Sequence, residues 1–256
     1  MFCEPYQCNL FMYYVLSKDI IESEIICHLP VRKRGFKPQA PTCEIINCIL
    51  YKLKMGIQWH LLPVESLFST HVLHYKTVFG HYRRWCKEGF WQKCWIELLK
   101  KYKSSFDLSV VNLDGSHSSC IRGGEEVGYQ GRKKHKTTNA LYITDKQGLV
   151  LAMSTPVAGN HNDLFNIEQT FGELTKILED ATISVDGLFM NADAGFDAES
   201  LHQLCHQKQI IANIATNKRN STDDNGPGII DEDLYKERYS IERTNVCVSF
   251  PKNSTD

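Results

Sequence analysis

Two short apolar runs in this chain each stop at an aspartate, and that limits the possible folds more than any other feature. Val110-Val111-Asn112-Leu113 leads into Asp114, and Leu188-Phe189-Met190-Asn191-Ala192 leads into Asp193. Runs this short, bounded by Gly or Asp, read as buried strands rather than helices. Between them, 137–144 and 149–156 are β-rich and are joined by Asp145-Lys146-Gln147-Gly148, a hairpin turn in which Gly148 is free to take positive φ. Asn162 or Asp163 can cap a helix over about 164–179. A helix over about 197–208, a strand over 210–216, a polar Gly/Pro-bearing loop over 217–233 and a helix from Leu234 to about Thr244 complete the pattern.

The order is therefore three strands that meander, then helices alternating with strands. That is α/β, with helices on both faces of a mixed sheet, as expected of an RNase H-like core. The first part of the chain has a different texture. Helical spacing marks 19–27, 42–55, 70–86 and 90–102, where Trp91, Trp95, Leu98 and Leu99 share a face. Thr42 is placed to cap the second of these and Gly56 to end it. A basic loop, Arg32-Lys33-Arg34, separates the first two. The expected division is a small all-α domain over 1–105, helix-turn-helix-like, and an α/β domain over 106–256.

Charge follows the same division. The net charge is −1, but residues 1–105 hold 15 Lys and Arg against 8 Asp and Glu, and residues 106–256 hold 14 against 22. Opposite signs on the two parts suit a phosphate-binding module joined to one that uses carboxylates, or simply two solvated surfaces. No stretch reaches the roughly 18–20 apolar residues of a membrane span. None of the ten cysteines forms a CxxC pair, so zinc-ribbon chemistry is not indicated and reduced, mostly buried thiols in a cytoplasmic protein are expected. His202 and His206 stand i, i+4, but Gln203 occupies the place of the glutamate that HExxH chemistry needs.

Asp114 and Asp193 sit at the predicted ends of strands, where open α/β sheets build their sites. Carboxylates brought together there repel unless a cation lies between them, and hard oxygen donors favour Mg²⁺, with Mn²⁺ also suitable. Tyr235, Arg238 and Glu242 share one face of the last predicted helix, with Glu242 able to complete a metal site and Arg238 able to grip a phosphate. Taken singly, each feature also fits a turn aspartate or a solvated Arg–Glu pair.

Tyr235-x₂-Arg238-x₃-Glu242 resembles the signature of the insertion-sequence DDE transposases of the IS-four/IS-five superfamily, and other blocks agree in order. Val111-Asn112-Leu113-Asp114-Gly115-Ser116-His117 looks like the first-aspartate block. Lys136-Thr137-Thr138-Asn139, the 144–148 turn and Gly159-Asn160-His161-Asn162-Asp163 look like the hairpin block. Asn191-Ala192-Asp193-Ala194-Gly195-Phe196-Asp197 looks like the second-aspartate block. Upstream, 29–35, Gln58-Trp59-His60-Leu61-Leu62-Pro63 and Tyr82-Arg83-Arg84-Trp85 are similar to the helical domain of the IS-five-like branch.

The resemblance, over roughly 19–245, implies a catalytic and metal-holding triad of Asp114, Asp193 and Glu242. It implies DNA partners, both terminal inverted repeats and target, and a homodimer. Arg238 and Tyr235 are the expected DNA contacts beside the triad. Lys133, Lys134 and Lys136, with His135, and the loop residues Arg32, Lys33 and Arg34 are further DNA-backbone candidates by charge. His161 and Asp163 are candidate supporting groups, unless Asp163 only caps a helix. The pattern breaks at the end: the signature lysine would stand at 249, where this chain has Ser249, and Pro251 would stop a helix. That predicts a truncated or frameshifted copy. The alternatives are a remnant that only binds DNA, an RNase H-like nuclease acting on RNA–DNA hybrid, and, more remotely, a glycosidase.

Overall fold

The computed structural model describes residues 13–30, 38–120, 124–217 and 231–248, the side chains of 245–248 aside. Arg32, Lys33 and Arg34, most of the 217–233 loop, Ser249 and Pro251 lie outside the described residues. Two compact units emerge, Met1–Leu98 and Leu99–Asp256.

Every element among the described residues of the first unit is a helix or a helical turn. A short stretch begins as α1 (Lys18–Ile20), widens into a π turn over Ile21–Ile25 and tightens over Ile26–His28. Then come α2 (Thr42–Met55), α3 (Tyr75–Lys87) and α4 (Phe90–Lys101), the last running into the second unit. Pro41, not Thr42, is the N-cap of α2, and no side chain caps it; proline brings its fixed φ to the helix entrance, where a donor would go unused. Gly56 ends α2 in the left-handed conformation (φ 65°). Ile45, Ile46, Cys48 and Ile49 are fully buried against Ile21, Leu67 and Val78. On α4 the buried face is Phe90, Cys94 and Leu99, while Trp95 is 40% exposed, so it does not join that face as expected.

The second unit is built on one mixed sheet. Its strands are β1 (Val111–Ser119), β2 (Gly128–Gln130), β3 (His135–Thr144), β4 (Val150–Met153), β5 (Val157–Ala158), β6 (Phe189–Ala192) and β7 (Ile211–Ile214). The sheet order is β2-β3-β1-β6-β7, with β4 and β5 also paired to β3. β1–β3 and the β3 pairings are antiparallel, whereas β1–β6 and β6–β7 are parallel. An antiparallel meander followed by parallel strands on the far side of β1 is the RNase H-like arrangement.

The helices of this unit are α5 (Ile167–Asp180), α6 (Glu199–Gln207), α7 (Glu232–Lys236) and α8 (Tyr239–Val248). α5 packs on β3, β4 and α6, and α8 packs on β1. Gly148 takes φ 89° in the β3–β4 turn, as its place there requires. α5 starts three residues later than predicted. Its N-cap is Asn166, with no side-chain cap bond, so neither Asn162 nor Asp163 caps it.

Two departures bear on the site. β1 does not end at Asp114 but continues to Ser119, because 115–119 pair residue for residue with Leu141 to Thr137 of β3. The last helix is broken: α7 stops at Lys236 and α8 starts at Tyr239. Across the break the backbone bonds run i→i−3, with Glu237 N–H donating to the Leu234 carbonyl and Arg238 N–H to Tyr235. The Leu234 carbonyl also accepts from Asn191 Nδ2 (2.8 Å), which holds it toward the sheet.

Candidate functional site

The parallel pairing of β1 with β6 covers Val111–Met190 and Asn112–Asn191, and both strands then pass out of it. Asp114 and Asp193 each follow by two residues, so they share the face of Asn112 and Asn191 just beyond the point where β1 and β6 part. Asp193 lies past the end of β6, where its Oδ1 accepts from Gly195 N–H (2.9 Å) and opens a short 3-10 turn. Asp114 stands inside β1 and accepts from Gly115 N–H at 2.9 Å.

Arg238, in the break between α7 and α8, places its guanidinium among the acidic groups. Its Nη2 lies 3.9 Å from Asp114 Oδ2 and 3.7 Å from Asp193 Oδ2, and its Nη1 lies 4.0 Å from Glu242 Oε1. These are distances of charge balance, longer than hydrogen bonds. Its Nε is buried without a hydrogen-bond partner. The three carboxylates thus come from β1, the end of β6 and α8, and meet at one cation. Their exposure is graded: the side chain of Asp114 is 15% exposed, that of Asp193 43% and that of Glu242 66%.

Burial pushes the Asp114 carboxyl up to about 6; Arg238 and the Gly115 N–H oppose that rise, and Asp193 and Asp163 add to it. Asp163 belongs to the other side of β1. A Cβ on Gly115 would collide with its carboxylate, so glycine is what allows the approach. Asp163 Oδ1 also accepts from Asn139 Nδ2 (2.7 Å). Beside it His117 contacts Thr137 Oγ1 (3.2 Å), and burial lowers its pKa. His161 stacks on Phe165 with ring centroids 3.6 Å apart.

The other predicted residues are not all gathered here. Tyr235 is on α7, half-buried, just before the break that holds Arg238. Lys133 and Lys134 are exposed at the β2–β3 turn and Lys136 is exposed on β3 just after it, and Lys133 Nζ donates to the His117 carbonyl (3.3 Å). That turn adjoins the Ser119 end of β1, roughly 17 Å along the strand from Asp114 at about 3.4 Å per residue. Among the described residues no three His, Cys, Asp or Glu side chains stand close enough to enclose a metal ion. The described cysteines are all free thiols, and no helix among the described residues is long and apolar enough to cross a membrane.

Sequence reasoning missed the buried asparagines Asn112, Asn191 and Asn213, which lie on the Asp114–Asp193 face. The repeated Asn-x-Asp of 112–114 and 191–193 was the available signal.

Comparison with known proteins adds a family. Residues 23–95 match the model of a transposase family of the IS4/5 type, and residues 105–247, more than half the chain, match the transposase DDE domain. No curated protein matches the chain. Two solved structures of Mos1 transposase are similar at 13% identity, covering 86% of this chain and 81% of theirs. They are a paired-end complex with the left transposon end (TM-score 0.31) and a mariner paired-end complex with Mn (TM-score 0.32), likenesses too loose to build on. On the strength of these two matches together, this chain belongs to the DDE transposases of the IS4/IS5 family.

Proposed function

We propose that the chain cuts and joins DNA strands at the ends of its own element, with Asp114, Asp193 and Glu242 holding divalent metal. The observation that carries this is the meeting of three acidic side chains from distant segments at one guanidinium. Three carboxylates gathered around a cation offer the oxygen donors that Mg²⁺ or Mn²⁺ prefers. The donor set fits. As the side chains stand, Arg238 fills the middle, so ligation requires the guanidinium to withdraw and the exposed Glu242 to swing inward.

Asp114, Asp193 and Glu242 would hold the divalent ions, whose chemistry when bound would be to activate a water or a DNA 3′-hydroxyl and to steady the leaving oxygen of an in-line phosphoryl transfer. Asp114, the most buried of the three, fixes the inner edge of the site. Arg238, once released from charge balance, is a planar donor suited to a backbone phosphate. Tyr235 packs behind it or meets the DNA. Lys133, Lys134 and Lys136 form a cationic turn that tracks the DNA backbone farther along the strand, and Arg32, Lys33 and Arg34 give the helical N-terminal domain, 1–105, its grip on the terminal inverted repeats. The 106–256 domain carries the chemistry, in a cytoplasmic homodimer that brings two ends and a target together.

A second reading has a specific observation in its favour: no three-ligand set is closed among the described residues. On that reading the chain binds DNA without cutting it. Strand cleavage on duplexes bearing the element's own ends, with Mg²⁺ or Mn²⁺, separates the two. The first reading expects cleavage that Asp114→Asn, Asp193→Asn and Glu242→Gln each abolish. Binding without cleavage favours the second, and cleavage indifferent to all three substitutions removes the triad.

A further inference from the structure

Three asparagines form one row across the interior of the sheet. Asn112 of β1 is in register with Asn191 of β6, and Asn191 with Asn213 of β7. All three are fully buried. Their amides join in a chain, Asn213 Nδ2 donating to Asn191 Oδ1 (2.8 Å) and Asn191 Nδ2 to Asn112 Oδ1 (3.2 Å).

Each of them also reaches out of the sheet to the C-terminal segment. Asn112 Nδ2 donates to Ser240 Oγ (3.2 Å), Asn191 Nδ2 to the Leu234 carbonyl (2.8 Å) and Asn213 Nδ2 to the Asp231 carbonyl (3.0 Å). In return the Asp231 N–H donates to Asn213 Oδ1 (3.2 Å). The segment from Asp231 to Ser240 is thus bound at three points by three consecutive strands.

Asparagine is a poor strand residue, and a buried amide without partners is costly. Apolar side chains would fill the same positions if cohesion were the only need. Amides add direction: each satisfies a neighbour in the row and one fixed group on the segment, so a shift of α7–α8 along the sheet breaks several bonds together. The row also lies where alignment matters. Asn112 and Asn191 stand two residues before Asp114 and Asp193 on the same face, and the segment they hold carries Arg238 and leads into Glu242.

We propose that Asn112, Asn191 and Asn213 are positioning residues that set the register of α7–α8 on the sheet and so bring Arg238 and Glu242 opposite Asp114 and Asp193. The consequence for catalysis rests on the function proposed above; the register itself does not.

The test is Asn191→Leu in the full chain, a change of similar volume that removes the side-chain donor to the Leu234 carbonyl and to Asn112 Oδ1 and the acceptor of Asn213 Nδ2. Hydrogen exchange over 232–244 should quicken by about tenfold or more while β1 and β3 amides hold, because only the segment is released. Mn²⁺ binding, followed by its paramagnetic resonance, should weaken by about tenfold, and kcat for strand cleavage should fall while KM for DNA stays, the pattern of a misplaced group. Unchanged exchange over 232–244 would overturn the proposal, as would equal acceleration in strands and segment. Faster exchange in the segment, with no Mn²⁺ bound by either protein, would uphold the register and remove the metal-site reading instead. Should Asn191→Leu fail to fold, Ser240→Ala removes only the partner on α8. Exchange over 239–244 should then rise by about two- to fivefold, with recovery in Ser240→Thr, and no change would refute the idea.

Discussion

Arg238 sets its Nη2 3.9 Å from Oδ2 of Asp114, close enough to balance charge and too far to hydrogen-bond. Arg238 is therefore the counter-charge of the acidic cluster in the metal-free protein. Replacing it with glutamine should lower stability at pH 7 by about 1–3 kcal/mol, toward the low end because Asp193 and Glu242 remain well solvated. Urea denaturation without divalent ions measures the loss. Mg²⁺ or Mn²⁺ should stabilise Arg238→Gln more than the parent. An unmoved midpoint would mean the guanidinium balances nothing.

The pH dependence follows from Asp114. Its carboxyl is raised from 3.8 to about 6 in the folded chain, so the native state holds that proton more tightly than the unfolded state does. Stability of the metal-free protein should then fall as pH climbs from 3.8 through about 6 on account of this group. Asp114→Asn should remove that slope and stabilise the protein above pH 6, by at most about 3 kcal/mol. Denaturation midpoints of both proteins across pH 4–7 check it, and parallel curves would refute it.

Gly115→Ala should cost about 1–3 kcal/mol, since the new methyl meets the Asp163 carboxylate across a packed strand. Adding Asp163→Ala should recover part of the loss. A double variant no more stable than Gly115→Ala alone would show that the clash lies elsewhere.

Gly148→Ala combines two penalties. Its φ of 89° disfavours a side chain, and a Cβ there would lie 2.8 Å from the Ser240 carbonyl oxygen and 2.9 Å from Thr244 Oγ1. A cost of about 1–3 kcal/mol is expected, with faster exchange at the amides of α8 before those of the β3–β4 hairpin. Slower or equal exchange in α8 would mean that the turn does not brace the helix.

The lysine turn predicts a salt effect. Changing Lys133, Lys134 and Lys136 to alanine should weaken DNA binding equally on any sequence and flatten the salt dependence by up to about one unit of slope for each phosphate no longer neutralised. Titrations at several salt concentrations decide it. A weakening confined to one sequence would speak for base reading at that turn.

Much of the frame could be read from residue pattern alone. α2 follows its 3.6-residue period from Thr42 to Met55, and Gly56 stops it in the conformation glycine tolerates. The β3–β4 turn closes on Gly148 for the same reason. What the pattern hid was set by partners distant in sequence. β1 runs on beyond Asp114 because β3 offers it a ladder, and no local property of Gly115-Ser116-His117-Ser118-Ser119 announces a strand. The spacing of Tyr235, Arg238 and Glu242 suits one straight helix, yet the Leu234 carbonyl is drawn to Asn191 and the turns tighten. The asparagine row becomes visible only once strand register is known, because a single Asn in an apolar run looks like an imperfection.

The interruption at 237–238 separates two motions that a continuous helix would couple. Rotation about the few backbone and side-chain bonds of Arg238 can carry its positive charge away from the aspartates while α8 keeps its seat on β1. Under the proposed function, the guanidinium can therefore give way to a metal ion without unwinding of the helix that bears Glu242.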